Sequence, residues 1–293
     1  MYEDIPMRTV DNVFDALIFG SDHPLGRTIL GPKENIRTFT RKNFDTYLKR
    51  NYTPANTVVC VAGNFSQKKV LTKIKRDFAR IKHTVPPEYM GYVSEQLAPR
   101  IAIKEKKTDQ TQLMLGVPAY PYQHKDEYGL AVLATILGGG MSSRLFTEVR
   151  EKRGLAYSVH ASVDKYPDTG YFVVQAGVEH GKLEKTIETI LAEFKKIKRA
   201  SIPAGELNKA KSYMKGTMTL ALETSDHVAE HAATSIINLG RIRPLEEVIK
   251  GIEKVSAQDI QRIAKDLFQA HQLNLAIIGP HLNKYHFKSL LKI

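Results

Sequence analysis

The sequence predicts an α+β fold made of two homologous domains. Each has an antiparallel-rich sheet with helices packed on it, and the first is incomplete. Three observations lead there. Strand-like runs come in adjacent pairs followed by runs of helices, the order of α+β folds and not of a doubly wound parallel sheet. A helix–turn–strand block occurs twice without a gap. The first copy also has far less chain in front of it than the second.

The elements follow in order. Residues 1–19 read as the end of a helix, with Val10, Val13, Phe14, Leu17 and Ile18 at helical spacing. SDHPLGRTILGPKENI is turn-rich. A helix is expected at 40–50, a strand at 57–63 and a basic amphipathic helix at 66–82. HTVPPEYMGYVSEQLAPR, with two adjacent prolines and no period, reads as a linker. Beyond it, strands are expected at 100–106, 111–117, 156–163, 171–178 and 273–279. Helices are expected at 126–137, 143–152, 182–198, 204–222, 226–239, 244–253 and 257–268.

The duplication is explicit. FTRKNFDTYLKRNYTPANTVVCVAGN, from Phe39, aligns with VSAQDIQRIAKDLFQAHQLNLAIIGP, from Val255, at an offset of 216. Phe44 falls on Ile260, Tyr47 on Ile263, Tyr52 on Phe268, Val59 on Leu275, Val61 on Ile277 and Gly63 on Gly279. About 155 residues separate Arg100 from Val255, but only 38 precede Phe39. The first copy therefore reads as lacking roughly 115 residues, within the uncertainty of boundaries. Residues 1–84 are the back part of a first unit, 85–99 a linker and 100–293 a complete second unit. A half-domain without its own strands does not easily bury its apolar helix faces.

Composition narrows the function. The net charge is +12, but Lys and Arg are spread along helical segments such as FKKIKRA, between core-facing apolar residues. That is the pattern of a solvated helix face. No zinc-finger spacing, aromatic nucleic-acid motif or Gly-rich phosphate loop accompanies the charge, so a nucleic-acid partner is not expected. No apolar run is long enough to cross a membrane, and MYEDIPMRTV has neither a secretory h-region nor transit-peptide character. Cys60 is the single cysteine, which allows no internal disulfide and suits a reducing, cytoplasmic setting.

GGGMSSRLFTEVREKRGLAYSVHAS is the most specific stretch. Gly138 to Gly140 are expected to end a helix in a tight, left-handed turn, and Ser142 or Ser143 to cap the next one. Arg150 would lie in that helix's last turn and Tyr157 at the start of a strand. Both are hydrogen-bond donors, suited to steadying a peptide carbonyl or the oxyanion made when water attacks it. The plainer alternative is a C-terminal helix charge beside an ordinary strand aromatic.

SSRLFTEVREKRGLAYSV resembles the second-domain signature of the pitrilysin, insulinase and mitochondrial processing peptidase family of zinc metallopeptidases. DHPLGRTILGPKENIRTFTRKNFDTYLKRNYTPANTVVCVAGN resembles the end of that family's first domain. The resemblance implies a clamshell of two homologous domains around an extended peptide. It implies metalloendopeptidase activity with zinc on a His-x-x-Glu-His helix of the first domain, and substrate held by an Arg and a Tyr seven residues apart in the second. Those last two match Arg150 and Tyr157. The zinc motif and its downstream Glu would fall before Met1, so no catalytic residue and no metal ligand is assigned. Zinc belongs to the complete family enzyme. The chain alone is expected to be inactive, with a zinc-bearing partner chain or a homodimer as possible partners. A non-catalytic scaffold or peptide-binding subunit is the alternative.

HVAEH, at 227–231, fits the zinc motif literally: His227 and His231 would share a helix face with Glu230 beside them. A third ligand at the family's spacing would lie beyond Ile293, and the resemblance puts this helix in the non-metal domain. These three residues therefore read as a chance match.

Overall fold

The computed structural model describes residues 5–293; residues 1–4 lie outside it. Four helices come first: α1 (Pro6–Phe19), α2 (Lys33–Thr38), α3 (Arg41–Asn51) and α4 (Gln67–Phe78). Strands β1 (Arg100–Glu105) and β2 (Thr111–Ala119) then lead to α5 (Glu127–Gly138). The hairpin β3 (Ala156–Lys165) and β4 (Gly170–Val178) is followed by five helices. These are α6 (Leu183–Arg199), α7 (Ala204–Ala221), α8 (Ser225–Leu239), α9 (Leu245–Lys254) and α10 (Ala257–Leu267). β5 (Asn274–Gly279) and α11 (Lys284–Leu290) close the chain.

By contact the chain forms two units that interleave along the sequence. One comprises the residues up to Thr28, Gly91–Gly216 and Glu246–Ile293. The other comprises Ile29–Met90 and Thr217–Leu245. This is a division by packing, whereas the boundaries at 84 and 100 mark the duplication.

The larger unit holds a five-stranded mixed sheet in the order β1-β5-β2-β4-β3. β1 and β5 are parallel; the other neighbours are antiparallel. On one face α1 packs Val10, Phe14 and Ile18 against Met114, Tyr171, Val173, Ala276 and Ile278. On the other face Phe172, Phe194 and Phe268 form an aromatic cluster, with Phe194 stacked on Phe268 at 4.2 Å. Covering both faces makes β5 buried along its whole length, which is why LAIIG, 275–279, reads as a continuous apolar run.

α1 has no basic residue in its last turn, so its carbonyl end is met from elsewhere. The Tyr92 hydroxyl donates to the Ile18 carbonyl at 2.6 Å, and Arg100 reaches the Leu17 and Ile18 carbonyls. Gln96 is likewise tied, donating to the His271 and Leu273 carbonyls. The end of the expected linker is thus part of the larger unit's hydrogen-bonded structure. Asp11 and Asp15, one turn apart on α1, lie near Asp164 and Tyr171. Burial pushes Asp11 up to about 6 and Asp15 up to about 7.

The smaller unit departs from expectation at 57–63, where no strand forms. A strand exists only as part of a ladder. Every described strand lies in the larger unit, so this segment has no neighbour to pair with. The unit's helices α2, α3 and α4 bury no residue. α11 is a further departure: a short helix that periodicity did not suggest.

Candidate functional site

The Gly-rich stretch folds differently from its sequence-based expectation. Gly138, Gly139 and Gly140 do not take left-handed angles. Gly138 is needed for closeness: a Cβ there would lie 2.3 Å from the backbone nitrogen of Ala161 on β3. The seryl capping is also absent, and the buried Ser143 hydroxyl finds no partner among the described residues. The helix start is fixed instead by a residue that sequence reasoning missed. Arg144 makes a two-pronged pair with Glu206 of α7, at 2.6 and 2.8 Å. Two residues 62 apart in sequence leave no local signal for such a pair.

The expected helix at 143–152 is mostly a π turn, Phe146–Glu151, with Lys152 N–H donating to the Thr147 carbonyl. π turns are rare and concentrate at functional sites. Gly154, at φ 57°, then reverses the chain; its N–H donates to the Arg150 carbonyl and that of Leu155 to Val149. β3 begins at once and carries an irregularity between Ala156 and Ser158, which face Val178 and Gly177 of β4. Tyr157 is the extra residue at that bulge. A bulge re-aims a side chain away from the ladder, and Tyr157 is 75% exposed.

These two irregularities bring the pair together. The Arg150 guanidinium lies 4.8 Å from the Phe146 ring centre and 5.8 Å from that of Tyr157. Aromatic faces attract and orient the cation while leaving its donors open. The neighbouring carboxylate does not compete. Glu148 takes Lys152 at 2.7 Å and also contacts Arg153, and these two hold its carboxyl down at about 2. Arg150 makes no ion pair among the described residues. An exposed guanidinium fork and an exposed phenol thus lie close together, and the phenol is carried by edge strand β3. Such an arrangement suits backbone carbonyls and an extended chain.

The histidine motif is built differently. His231 Nε2 bonds the Arg243 carbonyl at 2.8 Å, and His227 and Glu230 are exposed on α8. No three His, Cys, Asp or Glu side chains converge among the described residues. Among the described residues, His227, Glu230 and His231 are not joined by a further ligand.

A family described as the peptidase M16 inactive domain matches residues 38–214, which include Arg150 and Tyr157. The chain belongs to the peptidase M16 family. It is 31% identical over 300 residues to a Mycobacterium leprae protein named an uncharacterized zinc protease, covering 100% of this chain and 66% of that one. A Bacillus subtilis protein named likewise is 32% identical, with 97% and 68% covered. This M16 chain thus spans about two thirds of the length of such relatives. Its fold matches a Helicobacter pylori protease at a TM-score of 0.85 and 25% identity, covering 95% of this chain and 68% of that one. It matches an M16 inactive domain from Pseudomonas fluorescens at 0.85 and 20%, with 96% and 67% covered. No helix of the described residues is long and apolar enough to cross a membrane.

Proposed function

We propose that this chain is the substrate-holding part of an M16 metalloendopeptidase. It binds an extended peptide through Arg150, Tyr157 and the free edge of β3, and performs no proteolysis by itself. The observation that carries the reading is the pairing of two exposed donors by a π turn and a bulge, beside an unpaired strand edge. In the complete enzyme a zinc-bearing front half would supply the metal, which polarises the scissile carbonyl and activates water. This chain's own part is binding: the Arg150 fork and the Tyr157 hydroxyl donate to peptide carbonyls, and β3 pairs with the peptide backbone.

Fluorescence anisotropy of a labelled, unstructured acidic peptide tests this. Arg150→Ala is expected to weaken binding about tenfold, the worth of a charge-assisted hydrogen bond or two. Arg150→Lys recovers only part, because it keeps the charge and loses the fork. Equal affinity in all three proteins would leave the surface without a substrate role.

A further inference from the structure

The π turn that carries Arg150 begins without a local cap. Leu145, just before it, offers no side-chain bond, and the Ser143 hydroxyl is buried without a partner among the described residues. Its start is held from α7 instead. Glu206 and Tyr213 stand seven residues apart, about two helical turns, and so share one face of that helix. Glu206 takes the Arg144 fork on both of its oxygens, at 2.6 and 2.8 Å. Tyr213 stands over the preceding turn: a Cβ added to Gly140 would lie 3.3 Å from its ring. The Arg144 and Glu206 side chains are only 20% and 30% exposed, so salt and water screen the pair less than an open surface pair. The far end is pinned as well. Gly154 N–H donates to the Arg150 carbonyl, Leu155 N–H to that of Val149, and Lys182 Nζ to that of Gly154 at 3.1 Å. Between the anchors Leu145 and Val149 are fully buried. That burial decides which side of the turn faces inward; it does not decide where the turn begins. A stretch anchored at both ends keeps its extra residue as a π turn, and release of one end lets it relax to α-helical bonding.

We propose that Arg144 and Glu206 are positioning residues for Arg150. α7 acts as a splint: it fixes the start of the π turn, sets its register, and so places the guanidinium against the Phe146 and Tyr157 rings. Both residues act through Arg150 and not on the peptide itself. One residue of register is about 100° of rotation about the helix axis. A relaxed turn therefore swings Arg150 away from Tyr157, and the two donors no longer meet one chain. The consequence for peptide affinity rests on the proposed function, whereas the placement of Arg150 is a property of the chain without peptide. A second ion pair of α7, Lys215 with Glu253 of α9 at 3.0 Å, serves as the comparison. Lys215 lies nine residues after Glu206, on the opposite side of the helix.

Proton–carbon NMR of the full chain with 13C-labelled arginine reads the placement directly, and Arg150→Lys assigns the Arg150 signal. Two rings beside the guanidinium are expected to displace that signal from those of solvated arginines. Glu206→Gln keeps the shape of the side chain and removes its charge. It should move the Arg150 signal to the solvated position with the circular dichroism of the chain unchanged. Where Glu206→Gln disturbs folding, Arg144→Lys, which keeps the charges and loses the fork, gives the same comparison. Lys215→Met should leave the signal where it is. The affinity for the labelled acidic peptide should fall about fivefold in Glu206→Gln, short of the loss in Arg150→Ala, because the fork is displaced and not removed. An Arg150 signal unmoved in the folded variant overturns the inference, whatever the peptide does. So does an equal shift in Lys215→Met, which would make the effect a general loosening of α7. A moved signal with unchanged peptide affinity keeps Arg144 and Glu206 as positioning residues and removes the substrate role of Arg150. Failure of the splint and failure of the proposed function are therefore separate results.

Discussion

Gly138 shows how one missing methyl group positions a site. Its Cα sits against the backbone of β3, and a Cβ would meet both the nitrogen and the Cβ of Ala161. Gly138→Ala must push α5 off the strand that carries Tyr157, and is expected to cost about 3 kcal/mol. A lower thermal midpoint checks this. Asp15 sets a pH dependence. It lies on α1 with its carboxyl raised by burial to about 7, above its ordinary value of 3.8, and Asp11 behaves alike at about 6. The folded chain therefore keeps protons that the unfolded chain has released between about pH 4 and 7. Stability falls as pH rises through that window. Asp15→Asn removes the charge and keeps the size of the side chain. It is expected to stabilise by on the order of 2 kcal/mol at pH 8 and by little at pH 4, after discounting for partial exposure. Urea titrations at the two pH values compare directly.

At the scale of elements, the site depends on departures from regular structure. A regular helix through 143–152 has i→i−4 bonds; the π turn takes an extra residue into the turn before Gly154 reverses the chain. Gly154→Ala places a side chain at φ 57° and is expected to cost about 1 kcal/mol, even though space around it is open. Peptide affinity should fall with it, because the Arg150 carbonyl accepts from the Gly154 N–H. The segment 58–63 gives a second element-scale prediction. Its amides lack a ladder, so they should exchange with solvent orders of magnitude faster than those of β5, its counterpart in sequence. Hydrogen exchange resolved by peptide mass spectrometry reads both in one experiment. Comparable protection in the two segments would mean that 58–63 is paired in solution.

Across the whole molecule, much of the larger unit is legible in the sequence. β5 and β4 are continuous apolar runs because helices cover both faces of the sheet, and α10 carries its capping box, Ser256 with Asp259, in plain sequence. What was not legible is non-local. Val58 to Gly63 has the composition of a strand, but composition does not say whether a neighbour exists. Tyr92 and Gln96 read as linker residues, and only their distant partners, the Ile18 and Leu273 carbonyls, tie them to the larger unit. α11 is too short for periodicity to suggest, although Phe287 stands at the offset of 216 from Leu71 of α4. At the site, the seven-residue spacing of Arg150 and Tyr157 was visible, and the bulge and π turn that join them were not.

If Arg150 and Tyr157 act together on one bound peptide, as proposed, a double-mutant cycle on peptide affinity will show coupling between them. Arg150→Ala and Tyr157→Ala should each weaken binding by about tenfold. The double variant should weaken it by clearly less than the product, because neighbouring donors on one ligand couple. The peptide should remain intact throughout. Wild-type affinity in both single variants, or cleavage of the peptide by the purified chain, would show that this chain is not a peptide-holding surface of the kind proposed.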